Sequence, residues 1–196
     1  MTQWQVVGAV EHISEAWLEP LLRSILKQFP FRILGFHSDN GSEFINHNVE
    51  ALLNKLLIEQ TKSRPRHSND NGLVEAKNGA VIRKHMGFDH ISSSHADSIN
   101  VFYENQFNPY LNFHRPCGVP QLNKDGKGKT VRMYKWYATP WEILRQTPAV
   151  AGSLKEDLTI EQLERRAGAD SDVGAAIKMQ AAKRKLFAAF ATRRVA

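Results

Sequence analysis

The sequence predicts a layered α/β domain over residues 1–145, followed by a helical, basic C-terminal extension over residues 146–196. Three observations carry this. Short β-branched or aliphatic runs alternate with helical apolar stripes through the first sixty residues, the pattern of helices packed on a sheet. The length of 196 residues allows one domain with a sizeable core plus an extension. In the last stretch Ala175, Met179, Ala182, Leu186 and Phe190 recur at steps of four, three, four and four, which makes one apolar helix face.

The elements follow in chain order. Gln3–Val10 (QWQVVGAV) is β-branched and aromatic enough to read as a strand. Leu18, Leu21, Leu22, Ile25, Leu26 and Phe29 predict an amphipathic helix. Ser14 is one candidate start, as a cap, and Pro20 another, as a first-turn residue; Pro30 ends the helix. Arg32–His37 is a short, buried-type strand that runs into the turn Ser38-Asp39-Asn40-Gly41. Asn46 is placed to cap a second helix, striped by Val49, Leu52, Leu53 and Leu56, and Leu57–Thr61 reads as the next strand. Thr61–Asn71 is a polar, basic loop. Asn69 or Asp70 then caps a helix over Leu73–His85, with Leu73, Val74, Val81 and Ile82 as its apolar positions. A further helix around Ser98–Phe107 leads into the aromatic, proline-broken segment Asn108–Pro120, and Lys124–Lys129 reads as a flexible loop. Thr139-Pro140-Trp141-Glu142 reads as a helix start with proline at the first helical position.

Composition narrows the function classes. Hydrophobic residues at 42% and charged residues at 23% are ordinary globular values. No run approaches the roughly 18 apolar residues of a membrane span, and no charged-then-apolar leader pattern opens the chain. The single cysteine, Cys117, excludes an internal disulfide and a multi-cysteine zinc site. The expectation is a bacterial cytosolic, nucleoid-associated protein with no membrane partner. The formal charge of +6 is unevenly spread. Residues 60–86 carry six basic and two acidic side chains, residues 115–135 six and one, and residues 178–196 six and none. Each cluster suits phosphates, or else a solvated face.

Two acids stand out by position. Asp39 follows a strand in a turn, Glu75 lies on the helix after the basic loop, and 35 residues separate them. Carboxylates at a strand end and on a nearby helix can converge on a hard divalent cation. Read singly, Asp39 is equally an Asx-turn former and Glu75 an exposed helix acid. His37 and His114 have no further ligands at zinc spacing and read as packed or surface histidines. Cys117, next to Pro116, reads as a small buried residue rather than a nucleophile. Tyr103, Phe107, Tyr110 and Phe113, at steps of four, three and three, read as a packed helix edge rather than a stack for bases.

The segment HSDNGSEF (His37–Phe44), followed at the 35-residue spacing by Val74-Glu75-Ala76-Lys77-Asn78, resembles the catalytic core of retroviral integrases and insertion-sequence transposases. This is the D,D-35-E group, with a ribonuclease H-like fold. NFHRPC (Asn112–Cys117) and TPWE (Thr139–Glu142) are similar to the distal part of transposase cores, so the resemblance covers roughly residues 1–145. It implies that Asp39 and Glu75 are catalytic carboxylates and ligands of Mg²⁺ or Mn²⁺, with Asn40 and Gly41 shaping the turn. It implies that Asn78 orients Glu75 or touches a DNA phosphate. Lys62, Arg64, Arg66, Lys77, Arg83 and Lys84 would then hold the DNA backbone without reading its sequence. The implied activity is metal-dependent DNA strand cleavage and strand transfer, in DNA integration and transposition.

The same resemblance implies a third carboxylate on the first strand of the sheet, yet residues 1–38 contain no aspartate, and Gln3–Val10 matches the third strand. The expectation is therefore a ribonuclease H-like core lacking its first two strands. An N-terminally truncated chain of this kind is expected to be inactive alone, and unstable unless it pairs in a homo-oligomer or with a complementing transposase chain. The competing expectation is a non-catalytic, non-specific DNA-binding or interaction module derived from a transposase.

Overall fold

The computed structural model describes residues 2–38, 47–62, 78–124, 126, 128, 130–148 and 150–192. Within them the chain is mixed α/β, mostly helical, with two separate two-stranded sheets. It divides into two units. The smaller comprises Ala9–Leu26 and Ile33–Asp97, and the larger Met1–Gly8, Lys27–Arg32 and Ser98–Ala196. Among the described residues no helix is long and apolar enough to cross a membrane.

In the smaller unit, the leucine stripe builds α1 (Glu15–Gln28), whose first turn closes when the amides of Trp17 and Leu18 donate to the carbonyl of Ser14 at 3.2 and 2.9 Å. Of the two starts open to the sequence the chain takes the one at Ser14, and Pro20 sits inside the helix. Leu18, Leu22 and Leu26 pack on Val49, Leu52 and Leu53 of α2 (His47–Lys55) and on Ile58. Strand β1 (Gly35–Ser38) pairs in parallel with β2 (Glu59–Lys62), so α2 is the crossover of a β-α-β unit. The alternation in the sequence predicts this unit. Its first strand is less buried than expected, with Phe36 on the core and Gly35 and His37 exposed. One face of a small sheet is covered, so burial alternates with period two. Helix α3 begins as a π-helical turn, Asn78–Arg83, and continues as Lys84–Met86, burying Val81 and Met86.

Helix α4 starts with the 3₁₀ turn Ser93–His95 and runs through Ala96–Phe102 and the π-helical segments Tyr103–Phe107 and Tyr110–His114. It thus extends through half of the segment expected to be proline-broken. The physical reason is the π register. The amide of Asn108 reaches back to the carbonyl of Tyr103, and Pro109, which has no N–H to give, takes helical angles between the two π segments. Tyr103, Phe107 and Leu111 are buried, and the rings of Phe102 and Phe107 stack with centroids 5.8 Å apart, so this aromatic ladder is core.

Gln3–Val10 is not a strand. Residues 2–10 belong to no regular element, and Gln3 has φ +62°. Its backbone is instead paired by two side chains of α4. The amide of Gln5 donates to Asn112 Oδ1 at 2.9 Å, and Asn112 Nδ2 donates to the carbonyl of Gln5 at 2.6 Å. The amide of Val7 donates to Asn108 Oδ1 at 3.0 Å, and Asn108 Nδ2 returns to the carbonyl of Val7 at 3.1 Å. Four residues of helix rise about 6 Å and two extended residues span about 7 Å, so an i,i+4 pair of asparagines fits alternate residues of an extended segment. Each carboxamide carries one acceptor and two donor hydrogens, which lets it do the work of a neighbouring strand. Both are almost fully buried, at 3% and 2% exposure.

The rest of the larger unit packs around Trp141, Leu144, Leu154 and Leu163, with Trp4, Phe31 and Phe113 against them. Helix α5 (Pro140–Gln146) has the expected proline start and a full capping box: Thr139 Oγ1 accepts from the amide of Glu142, whose carboxylate accepts from the amide of Thr139. After the short helix α6 (Val150–Ser153), Thr159 and Gln162 form the same box on α7 (Ile160–Ala167). Helix α8 (Asp172–Thr192) buries Ala175, Met179 and Leu186 on the predicted phase. His114 Nδ1 lies 3.1 Å from Asp172 Oδ1, which ties the start of α8 to the end of α4.

Two outcomes follow. Asn112→Ala leaves the N–H and C=O of Gln5 without their partner in a half-buried setting, so urea unfolding is expected to show a loss of about 2–4 kcal/mol. Burial pushes the hydroxyl of Tyr103 up to about 12 from its ordinary 10. The neutral phenol is then favoured by folding. Stability is full below pH 10 and falls by about 2–3 kcal/mol as pH rises through 12. Tyr103→Phe is expected to flatten that part of the pH profile of the unfolding midpoint.

Candidate nucleic-acid interface

Two parallel strands end at the same edge of their sheet. The register pairs Gly35 with Glu59, Phe36 with Gln60, His37 with Thr61 and Ser38 with Lys62. Neighbouring strands lie about 4.8 Å apart, so the backbones of Ser38 and Lys62 leave the sheet side by side. Asp39 is the next residue after Ser38, and Lys62 opens the basic loop that contains Arg64 and Arg66. The C-terminal ends of parallel strands are where open α/β sheets receive ligands.

Local chemistry fixes this register. His37 Nδ1 and Thr61 Oγ1 lie 2.9 Å apart across the two strands, one residue before the ends. Helix α2 stops in a Schellman arrangement: the amide of Ile58 reaches the carbonyl of Leu53 at 2.9 Å, and that of Leu57 reaches Asn54 at 3.0 Å. Leu57 takes the left-handed position normally given to glycine, with φ +55°, and is 88% exposed. Ile58, next along, is buried against Leu53 and sets the phase of β2.

Asn78 opens α3 on an exposed position, and Arg83 and Lys84 are exposed at its centre, while Val81 and Met86 point to the core. The guanidinium of Arg83 sits 6.0 Å from the ring centroid of Phe88. Asp39, Asn40, Gly41, Arg64, Arg66, Glu75 and Lys77 lie outside the described residues, and Lys62 is described by its backbone alone. Among the described residues no group of three or more His, Cys, Asp or Glu is placed to hold a metal ion. His37 and His114 occupy hydrogen-bonded positions with Thr61 and Asp172. Cys117 is half-buried rather than buried, because it sits on the first residue of a two-stranded hairpin, and it donates weakly to the carbonyl of Ala138 at 3.5 Å.

Sequence reasoning passed over a second surface. Strand β3 (Cys117–Lys124) and strand β4 (Thr130–Ala138) form an antiparallel hairpin with an irregularity between Val119 and Gln121. Val119 faces Trp136 and Gln121 faces Met133, so Pro120 opposes two residues, Tyr134 and Lys135, and the extra residue is on β4. Tyr134, Trp136 and Tyr137 are all exposed. The available signal was the turn-rich KDGKGK followed by Thr130–Ala138, a run rich in β-branched and aromatic residues; the run before it, with Gly118 and Pro120, gives no such signal.

No protein-family model matches the chain. Over 68 residues it is 37% identical to the uncharacterized protein y4rM of Sinorhizobium fredii. The match takes in 35% of this chain and 19% of that protein, so the chain spans under a fifth of the length of this relative.

Replacing Leu57 with glycine removes a left-handed side chain, a conformation that costs about 1–2 kcal/mol, against the larger unfolded-state entropy of glycine. Thermal unfolding is expected to show Leu57→Gly more stable by about 0.5–1 kcal/mol, whereas Leu57→Val is expected to be less stable than the parent.

Proposed function

We propose that this chain carries part of a D,D-35-E integrase or transposase catalytic core with a ribonuclease H-like fold, and that it acts on DNA. The observation that carries the reading is the parallel β1-α2-β2 unit. It brings the end of β1, whose last residue Ser38 precedes Asp39 in the sequence, and the end of β2, at Lys62, to one sheet edge. Asp39 and Glu75 supply hard oxygen donors, which suit Mg²⁺ or Mn²⁺. When bound, such ions lower the barrier to in-line displacement at a phosphodiester by activating the attacking oxygen and stabilising the leaving one.

The residues of the chain divide the remaining work. Lys62, Arg64, Arg66 and Lys77 flank the two carboxylates in sequence and neutralise the DNA backbone, as do the exposed Arg83 and Lys84. Asn78, three residues after Glu75, orients that carboxylate or a phosphate oxygen. The third carboxylate comes from outside residues 1–38, which contain no aspartate. A complementing transposase chain is the source we propose. With two carboxylates alone, metal binding is weak and strand cleavage slow or absent.

Titration with Mn²⁺ followed by electron paramagnetic resonance tests this. The expected result is weak binding that falls at least about ten-fold in Asp39→Asn and in Glu75→Gln, since each removes a direct ligand. Arg64→Ala and Arg66→Ala are expected to weaken duplex binding regardless of sequence and to lower the salt slope by about one each. Unchanged Mn²⁺ binding in both acid variants overturns the catalytic-core reading and leaves a DNA-binding module.

A further inference from the structure

We infer that one face of the β3–β4 hairpin is a platform for single-stranded DNA, on which Tyr134, lying over Gly118, and Tyr137, the register partner of Gly118, stack bases. The inference rests on the reading that the protein acts on DNA, but not on its metal site. The pairing defines the face. Tyr137 is the register partner of Gly118, and the ring of Tyr134 lies over the same glycine, because a Cβ built there would come within 2.9 Å of Tyr134 Cδ1. Both rings therefore share the Gly118 face, brought together by the extra residue on β4, which resets the alternation between Met133 and Trp136.

Three observations point to unpaired DNA as the occupant. Tyr134 is 52% exposed and Tyr137 65%, an unusual outlay of aromatic surface on a two-stranded hairpin, which is marginal by itself. The described charges on the strands are cationic: Lys135 follows Tyr134 on β4 and Lys124 ends β3, both exposed, in a stretch of sequence with six basic residues to one acid. A patch meant for an apolar protein surface would avoid such lysines, whereas a polyanion whose bases have open faces matches both features. A duplex keeps its base faces stacked and offers these rings only a backbone. The absence of a side chain at Gly118 lets the Tyr134 ring lie down on the strand, with its outer face left to solvent for a base.

Fluorescence anisotropy tests this with labelled dT15 and a 15-bp duplex, on the full chain and in EDTA, so that loss of the metal site cannot affect the result. Stacking one base is worth roughly five- to a hundred-fold in affinity. Tyr134→Ala and Tyr137→Ala are each expected to weaken dT15 binding about ten-fold or more while changing duplex binding less than about two-fold. Tyr137→Phe is expected to keep the parent affinity, because the ring and not the hydroxyl does the stacking. Gly118→Val keeps both tyrosines but pushes the Tyr134 ring aside, and is expected to weaken dT15 binding as well. Circular dichroism of each variant identifies any that fail to fold, and Tyr137→Phe against Tyr137→Ala then decides. Unchanged dT15 affinity in both alanine variants overturns the platform. So does an equal loss for dT15 and duplex, which would leave charge alone, or a loss of self-association in sedimentation, which would make the face an interface between copies. If instead Asp39→Asn and Glu75→Gln both leave Mn²⁺ binding unchanged while the tyrosine variants lose dT15, the catalytic-core reading fails and the platform stands.

Discussion

Backbone groups taken from water must be paired, and in this protein two carboxamides meet that demand where a β-strand does not. Asn108 and Asn112 reach from one helix to the amides and carbonyls of Val7 and Gln5, making four hydrogen bonds of 2.6 to 3.1 Å. Each asparagine is committed further. Asn108 Nδ2 also donates to Gln28 Oε1 at 2.8 Å, and Asn112 Nδ2 to the carbonyl of Asn108 at 2.9 Å. Trp4, one residue before the paired stretch, is thereby held edge-on to Phe113 with ring centroids 5.3 Å apart, and to Phe31 at 6.3 Å. Phe31 in turn bridges to Leu154, so the apolar cluster of the larger unit is laid against a segment whose backbone is paired by two polar side chains. Buried polar networks of this kind give a single register because each partial alternative strands a donor or an acceptor.

The smaller unit obeys the same constraint by ordinary means. Parallel strands cannot be joined by a tight turn, so a helix must cross over between them, and its exit decides the phase of the second strand. The exit of α2 through Leu57 and Ile58 does this, at the cost of a left-handed leucine. The amide of Glu59 then donates to the carbonyl of Leu34 at 2.9 Å, which starts the ladder that ends with Ser38 beside Lys62. A slip of one residue would turn Ile58 outward and move Lys62 away from Ser38. The placement of the two strand ends, Ser38 and Lys62, is in this sense a consequence of apolar packing one helix away.

What the sequence revealed and concealed divides along physical lines. Elements that declare themselves within a single turn were legible: the stripe of α8, the crossover helix between β1 and β2, and the proline start at Thr139. Elements that depend on a distant partner were not. Gln3–Val10 has the composition of a strand, and only Asn108 and Asn112, a hundred residues on, make it something else. Pro109 looks like a breaker because the rule assumes an α register, and the π segments on either side give its carbonyl neighbours other partners. As for the site, the spacing of Asp39 and Glu75 and the charge of the loop are readable from the chain. The aromatic face of the hairpin is hidden because the extra residue on β4 interrupts the alternation that would have announced it.

That interruption also explains how one short hairpin can keep two different faces. On the Gln121 side, Asn123 Nδ2 lies 3.0 Å from Met133 Sδ, and the face continues through Val119 and Trp136 to Cys117 and the buried Ala138. Without the extra residue, Tyr134 and Trp136 would fall on one side of β4 and Tyr137 on the other, following simple period-two alternation. With it, Trp136 crosses to the side that leads to the core, while Tyr134 and Tyr137 are left together around Gly118. The glycine is as much a part of the arrangement as the rings, because any side chain at 118 would collide with Tyr134 before a ligand could reach it. An aromatic pair gathered by a bulge on one side of a hairpin is costly to keep exposed in water unless something flat covers it, and the exposed Lys135 beside Tyr134 attracts an anionic chain that carries such groups.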